Sequence, residues 1–173
     1  MILRSVKSWV VVFGFLFLAS SSAIAEKFTV GTGQNSAGLY IEWSDGYIAE
    51  FAVRFESVSI TGLNLFDMVE ASLGLTTVRL NYGTSVFIDG ISFNGHSNIG
   101  YGGGENWWHQ WIKNGDGNWE WGSGVSERIL NNGDSDGWIY GRAGEPVPEP
   151  LSVALFGLSG LILSRCRRQR RIS

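Results

Sequence analysis

Cysteine, proline, histidine and basic charge are all scarce in this chain, and each scarcity excludes something. There is one cysteine in 173 residues, Cys166, set among arginines near the C-terminus. A single thiol forms no intramolecular disulfide, so the fold must rest on a hydrophobic core. The three prolines are Pro146, Pro148 and Pro150. The chain before them is left to strands and tight turns, and 24 glycines supply the turns. The two histidines, His96 and His109, fit no HExxH or Cys/His metal spacing and read as isolated surface residues. There is no Gly-x-Ser-x-Gly elbow, and no carboxylate pair shows a glycosidase arrangement. With no acid, base or nucleophile assembled, the sequence predicts a non-enzymatic protein without a metal or cofactor. Asn132, Asp134 and Asp136 alternate before Gly137 as in the front half of a calcium loop. The closing position is Ala143 rather than a bidentate Glu, so the stretch reads as a polar turn between strands.

The two ends differ from the middle. Arg4 and Lys7 precede an unbroken apolar run over 9–18, and Ala23 and Ala25 give the small-x-small pattern of a cleavage site. This predicts a secretory signal over 1–25, with Glu26 first in the mature chain. At the other end an apolar run of 14 residues, 151–164, is followed at once by Arg165, Arg167, Arg168, Arg170 and Arg171. At ~1.5 Å per residue that run reaches roughly 21 Å, short of the ~30 Å hydrocarbon core. The arginines would stay on the cytoplasmic side, with the preceding domain facing out.

Over 26–144, six basic residues stand against fourteen acidic ones, a net charge of −8. Phosphate backbones and anionic lipid surfaces both need a basic face, so nucleic acid is excluded as a partner, as is peripheral docking on such lipids.

"VPEP", the apolar stretch with "GLSGL" and the arginine cluster together resemble the PEP-CTERM sorting signal of Gram-negative bacteria. The resemblance covers the last 27 residues. It implies an exosortase-type sorting enzyme as partner, acting near Pro148, Glu149 and Pro150. Transient anchoring in the membrane through 151–173, delivery to the cell surface or extracellular matrix, and association with extracellular polysaccharide are also implied.

Between the ends the pattern is β-rich. Tyr47, Ala49, Phe51, Val53 and Phe55 alternate with polar residues, which predicts a half-buried antiparallel-type strand. Leu65, Val69 and Leu73 recur at helical spacing, with Thr61 or Asn64 as N-cap and Gly74 as left-handed stop, which predicts one short helix over 65–73. Strand period returns through Val78, Leu80 and Tyr82. "SVFIDGISFNG" reads as a strand, an Asp-Gly turn and a second extended piece. "NWWHQWIKNGDGNWEW" reads as two strands about an Asn-Gly-Asp-Gly turn. "SERILNNGDSDGWIYG" reads as another pair, turning at 131–134. "GYGGGEN" reads as a flexible loop, and 145–150 as a semi-rigid linker. The expected class is α+β: a small β-rich domain, mainly antiparallel, with one short helix.

The order "LFDMV", "FIDGISFNG", "WWHQWIKNG", "GVSERILNNGDSDGWIY" resembles the β-grasp-like C-terminal domain of the cobalamin carriers transcobalamin and intrinsic factor, over about 63–141. That resemblance implies a β-grasp-like fold and, as an alternative function, binding of a corrinoid-like small molecule. This chain lacks the helical barrel that completes the site in the carriers.

Five of the eight tryptophans fall within 107–121. Strand alternation sets Trp107, His109 and Trp111 on one face and Trp108, Gln110 and Ile112 on the other, with Trp119 and Trp121 sharing a face across the turn. Indoles stack on sugar rings and planar ligands, so Trp107, Trp111, Trp119 and Trp121 are the expected ligand-binding residues.

Overall fold

The computed structural model describes residues 25–147. Ala23, Pro148, Glu149, Pro150, Arg165, Arg167 and Arg168, and with them the export and sorting segments, lie outside the described residues. Among the described residues no helix is long and apolar enough to cross a membrane.

The chain begins with β1 (Glu26–Gly31), the hairpin β2 (Asn35–Glu42) and β3 (Ile48–Phe55), and the short β4 (Ser59–Thr61). One helix follows, α1 (Gly62–Leu73). Its start is fixed by a capping box: the Thr61 hydroxyl accepts from the Asn64 backbone N–H, and the Asn64 side chain accepts from the Thr61 N–H. Its end is fixed by Gly74, whose φ of 74° suits a residue without Cβ and whose N–H donates to the Glu70 carbonyl. The helix thus starts a turn earlier than its apolar spacing predicts, because the cap rather than the first apolar residue sets the boundary. Leu65, Phe66 and Val69 bury one side of it against the sheet. At about 1.5–3 kcal/mol for each large apolar side chain removed from water, this contact holds the helix in place.

Next come β5 (Thr76–Tyr82), β6 (Ser85–Phe93) and β7 (His96–Ile99), an antiparallel sheet in the order β5-β6-β7. The final part holds β8 (Trp108–Lys113), β9 (Glu120–Trp121), β10 (Ile129–Asn131) and β11 (Ser135–Tyr140). The main sheet has six strands in the order β1-β3-β2-β11-β8-β9. β2 and β11 lie parallel at its centre, and each is flanked by its antiparallel neighbour, β3 and β8. The class is as expected, α+β, strand-rich and mainly antiparallel with a single helix.

The core fills the space between the inner face of the main sheet, α1 and the smaller sheet. Leu39, Ile41, Phe51, Val53, Trp108 and Trp138 come from the main sheet, and Ile88, Ile91 and Phe93 from β6. Two buried indoles pin the sheets together by hydrogen bonds: Trp43 Nε1–H to the Ile91 carbonyl at 2.9 Å and Trp108 Nε1–H to the Asn98 carbonyl at 3.1 Å.

Several local expectations are corrected. Asp89-Gly90 is not a turn; β6 continues through it with a register shift against β5 at Asp89, and Gly90 is buried beneath Val78 and Ile99 where a Cβ would collide. The chain reverses at Asn94-Gly95 instead, both at positive φ. Val78, Leu80 and Tyr82 are exposed, whereas Arg79 turns toward the helix and pairs with Asp67 and Glu70. β10 and β11 are joined by a turn but do not pair; β10 pairs β4, and β11 lies between β2 and β8. The loop at 100–106 is tied internally, Gly102 N–H to the Asn106 carbonyl and Asn106 N–H to the Gly103 carbonyl. His109 is buried at 2% exposure rather than on the surface.

Candidate functional site

The main sheet has a second face, turned away from the core. Alternation along β8 places His109, Trp111 and Lys113 there, and along β11 Ser135, Gly137 and Ile139. β2 contributes Ser36, Gly38 and Tyr40, and β3 contributes Ile48, Glu50 and Ala52. Tyr40, Trp111 and Ile139 form a small apolar cluster on this outer face, with Ile48 and Trp119 packed against it.

The structure brings three of the four predicted tryptophans, Trp107, Trp111 and Trp121, into one row, while Trp119 packs against the cluster around Trp111 at a separate groove. Trp111 and Trp121 are direct partners across β8 and β9, and their indoles stack at 4.5 Å and 28°. Trp121 also meets the His109 ring at 5.5 Å, and His109 meets Trp107 at 3.8 Å. The result is a continuous row, Trp111–Trp121–His109–Trp107, along the edge of the sheet. Exposure is unequal: Trp121 is 53% exposed and Trp111 only 8%. Trp111 is therefore a support beneath Trp121 and not an open surface. Trp107 lies between two clefts of about 250 and 260 Å³, shared with Phe87 and Trp108. The indole nitrogen of Trp111 and Nδ1 of His109 are buried without a hydrogen-bond partner among the described residues.

Trp119 is half-buried and stands at a separate and larger concavity, a groove of about 610 Å³ across the outer face. Ser36, Gly38, Ala52 and Ser135 keep its floor low, Tyr40 and Trp119 give it aromatic surface, and Lys27, Glu50 and Lys113 line it. Burial and the neighbouring Glu42 carboxylate push the Tyr40 phenol well above its ordinary range, and its hydroxyl donates to Glu42 at 2.9 Å. The groove escaped sequence reasoning because its residues come from strands distant in the chain. Its one local signal is the pair of small residues, Ser36 and Gly38, on the outer face of β2.

The segment after β11 lies over this face. Gly141 turns the chain at a φ of 81°. Arg142 then holds Glu42 with two hydrogen bonds, 2.9 Å from Nε and 2.6 Å from Nη2. Pro146 is buried, and its ring sits above Gly137 beside Trp119 and Trp111, so close that a Cβ on Gly137 would lie 2.5 Å from Pro146 Cγ. The first part of the expected linker is thus fixed to the domain.

The acidic residues of the calcium-like stretch serve the fold. Asp134 accepts from the backbone N–H groups of Gly115 and Asn131. Asp136 accepts from Arg128 Nε at 2.8 Å and from the Gln110 amide. Arg128 reaches on to the Asn114 side chain and the Lys113 carbonyl, so one buried guanidinium ties the turn after β8 to β11.

No protein family, curated protein or solved structure matches the chain.

Proposed function

We propose that this is an exported, non-enzymatic binding domain, sorted through its C-terminal signal by an exosortase-type enzyme, whose aromatic outer face contacts extracellular polysaccharide. The observation that carries the reading is the stack of Trp121 on Trp111. A buried indole holds a half-exposed one flat against the sheet edge, at little entropic cost on binding, and sugar rings bind by stacking on such a surface. The acidic balance of the domain suits a neutral polymer better than a polyanion.

Titration of the purified protein with extracellular polysaccharide, followed by indole fluorescence, tests the reading. The expected result is a saturable change that Trp121→Ala removes. An unchanged spectrum at saturating glycan would sink it.

A second reading, a binder of a corrinoid-like molecule, is favoured by the strand order. The parallel pairing of β2 with β11 at the centre of the sheet, with the helix between them in the chain, is what supports the likeness to the β-grasp-like domain of the cobalamin carriers. The same titration with a corrinoid separates the two.

A further inference from the structure

We propose that the outer-face groove is the docking site of the chain's own proline segment, which enters it at Pro146 and fills it with 147–150. This rests on the seating of Pro146 and is independent of the glycan reading.

Three observations lead to it. First, a proline is already bound there. The Pro146 ring lies over Gly137 beside Trp119, the aromatic-and-proline contact by which grooves recognise extended proline-rich chains. The Arg142–Glu42 pair and the Gly141 turn fix the segment's starting point, so little further ordering is needed for the next residues to bind.

Second, the dimensions agree. The groove runs from Pro146 and Trp119 near β11, across β2 and β3, to Lys27 on β1. Three strand spacings of ~4.8 Å make roughly 14 Å. The four residues 147–150 span about 12 Å in a polyproline conformation at ~3.1 Å each.

Third, the chemistry agrees. Tyr40 and Trp119 offer aromatic walls to Pro148 and Pro150. Lys113 lines this groove, where it suits the carboxylate of Glu149, and Lys27 lines its far end paired with Glu50 at 3.4 Å. The low floor of Gly38 and Ala52 leaves room for the chain. A consequence follows for any enzyme or partner that reads Pro148 to Pro150: it must first lift the segment off the domain.

The chain has only three prolines, so selective ¹³C-proline labelling of the full-length protein in detergent gives a direct readout by NMR. The expected result is that Pro148 and Pro150, like Pro146, show ring-current shifts that are independent of protein concentration and lost in Trp119→Ala and Gly137→Ala. The Trp43 indole N–H, hydrogen-bonded in the core, serves as the control that each variant is folded. Unshifted Pro148 and Pro150 signals in the parent protein would overturn the inference. So would shifts that vanish on dilution, which would assign the groove to the segment of a second copy. A polysaccharide-induced change at Trp121 in a protein with unshifted Pro148 and Pro150 would leave the glycan reading standing while this one fails.

Discussion

The indoles of Trp111 and Trp121 lie 4.5 Å apart and nearly parallel, one buried and the other half-exposed. The pair divides its work: Trp111 is held in the sheet with Tyr40, Ile139 and Trp119 packed about it, and Trp121 is held by Trp111. Removing the outer ring therefore costs little stability. Trp121→Ala is expected to lose about 0.5–1.5 kcal/mol, the worth of one aromatic pair, while abolishing the fluorescence response to polysaccharide. Urea unfolding alongside the glycan titration checks both; a response that survives in the folded variant places the contact elsewhere.

The helix N-terminus is a second separable element. Thr61 and Asn64 satisfy each other's backbone N–H groups, and no acidic residue in the first turn supplements them. Thr61→Ala is expected to cost about 1 kcal/mol, and Thr61→Ser much less. Leu65→Ala, which empties a fully buried site one turn on, is expected to cost about 2–5 kcal/mol. Thermal or urea unfolding of the three variants gives the ordering, and an equal loss for Thr61→Ser and Thr61→Ala would remove the hydroxyl from the account.

These examples show which parts of the fold the sequence carries openly. The alternation of Ala49, Phe51, Val53 and Phe55, the spacing of Leu65 and Val69, and the stop at Gly74 are local signals, and the structure follows them. Asp89-Gly90 also looks like a local signal but is overridden, since β6 is paired on both sides and the glycine is required by the close approach of Val78 and Ile99. The central parallel pairing of β2 with β11 joins residues nearly a hundred positions apart, and no local pattern encodes it. The same distinction governs the site. The row of Trp107, Trp111 and Trp121 was legible because it follows strand period within one hairpin. The groove beside Trp119 was not, because its lining comes from strands far apart in the chain and from Pro146 beyond β11.

Tyr40 gives the domain a predictable alkaline limit. Burial, then the Glu42 carboxylate, raises its phenol above the ordinary ~10, so the folded protein keeps a proton that the unfolded chain releases. The contribution is fully present below pH ~10 and is lost as pH rises beyond it, by at most about 1.4 kcal/mol per pH unit for one proton. Tyr47, raised by burial and its bond to Glu26, adds to the same slope. Urea midpoints measured from pH 8 to pH 11.5 are expected to fall more steeply for the parent than for Tyr40→Phe. Parallel curves would show that Tyr40 ionises normally in the folded state.

Arg128 and Asp136 form a buried ion pair. Asp136 is fully buried, and among the described residues Arg128 is its one cationic hydrogen-bond partner, at 2.8 Å. Burial already pushes the Asp136 carboxyl above the usual range, and Arg128 opposes that push. Arg128→Ala removes the opposition and leaves a buried carboxylate with the Gln110 amide alone, which is expected to cost about 3–5 kcal/mol at neutral pH. The sign of the pH dependence follows from the raised carboxyl. In the variant the folded state holds a proton that the unfolded state releases near pH ~3.9, so stability is greatest in acid and is lost as pH rises. The variant is therefore expected to recover part of its deficit at pH 5 relative to pH 7.5. Asp136→Asn, which keeps the shape without the charge, is expected to rescue Arg128→Ala at neutral pH. Urea unfolding of both single variants and the double variant at the two pH values checks this. A deficit that is equal at pH 5 and 7.5, and unrelieved by Asp136→Asn, would mean that Arg128 acts through its bonds to Asn114 and the Lys113 carbonyl rather than through Asp136.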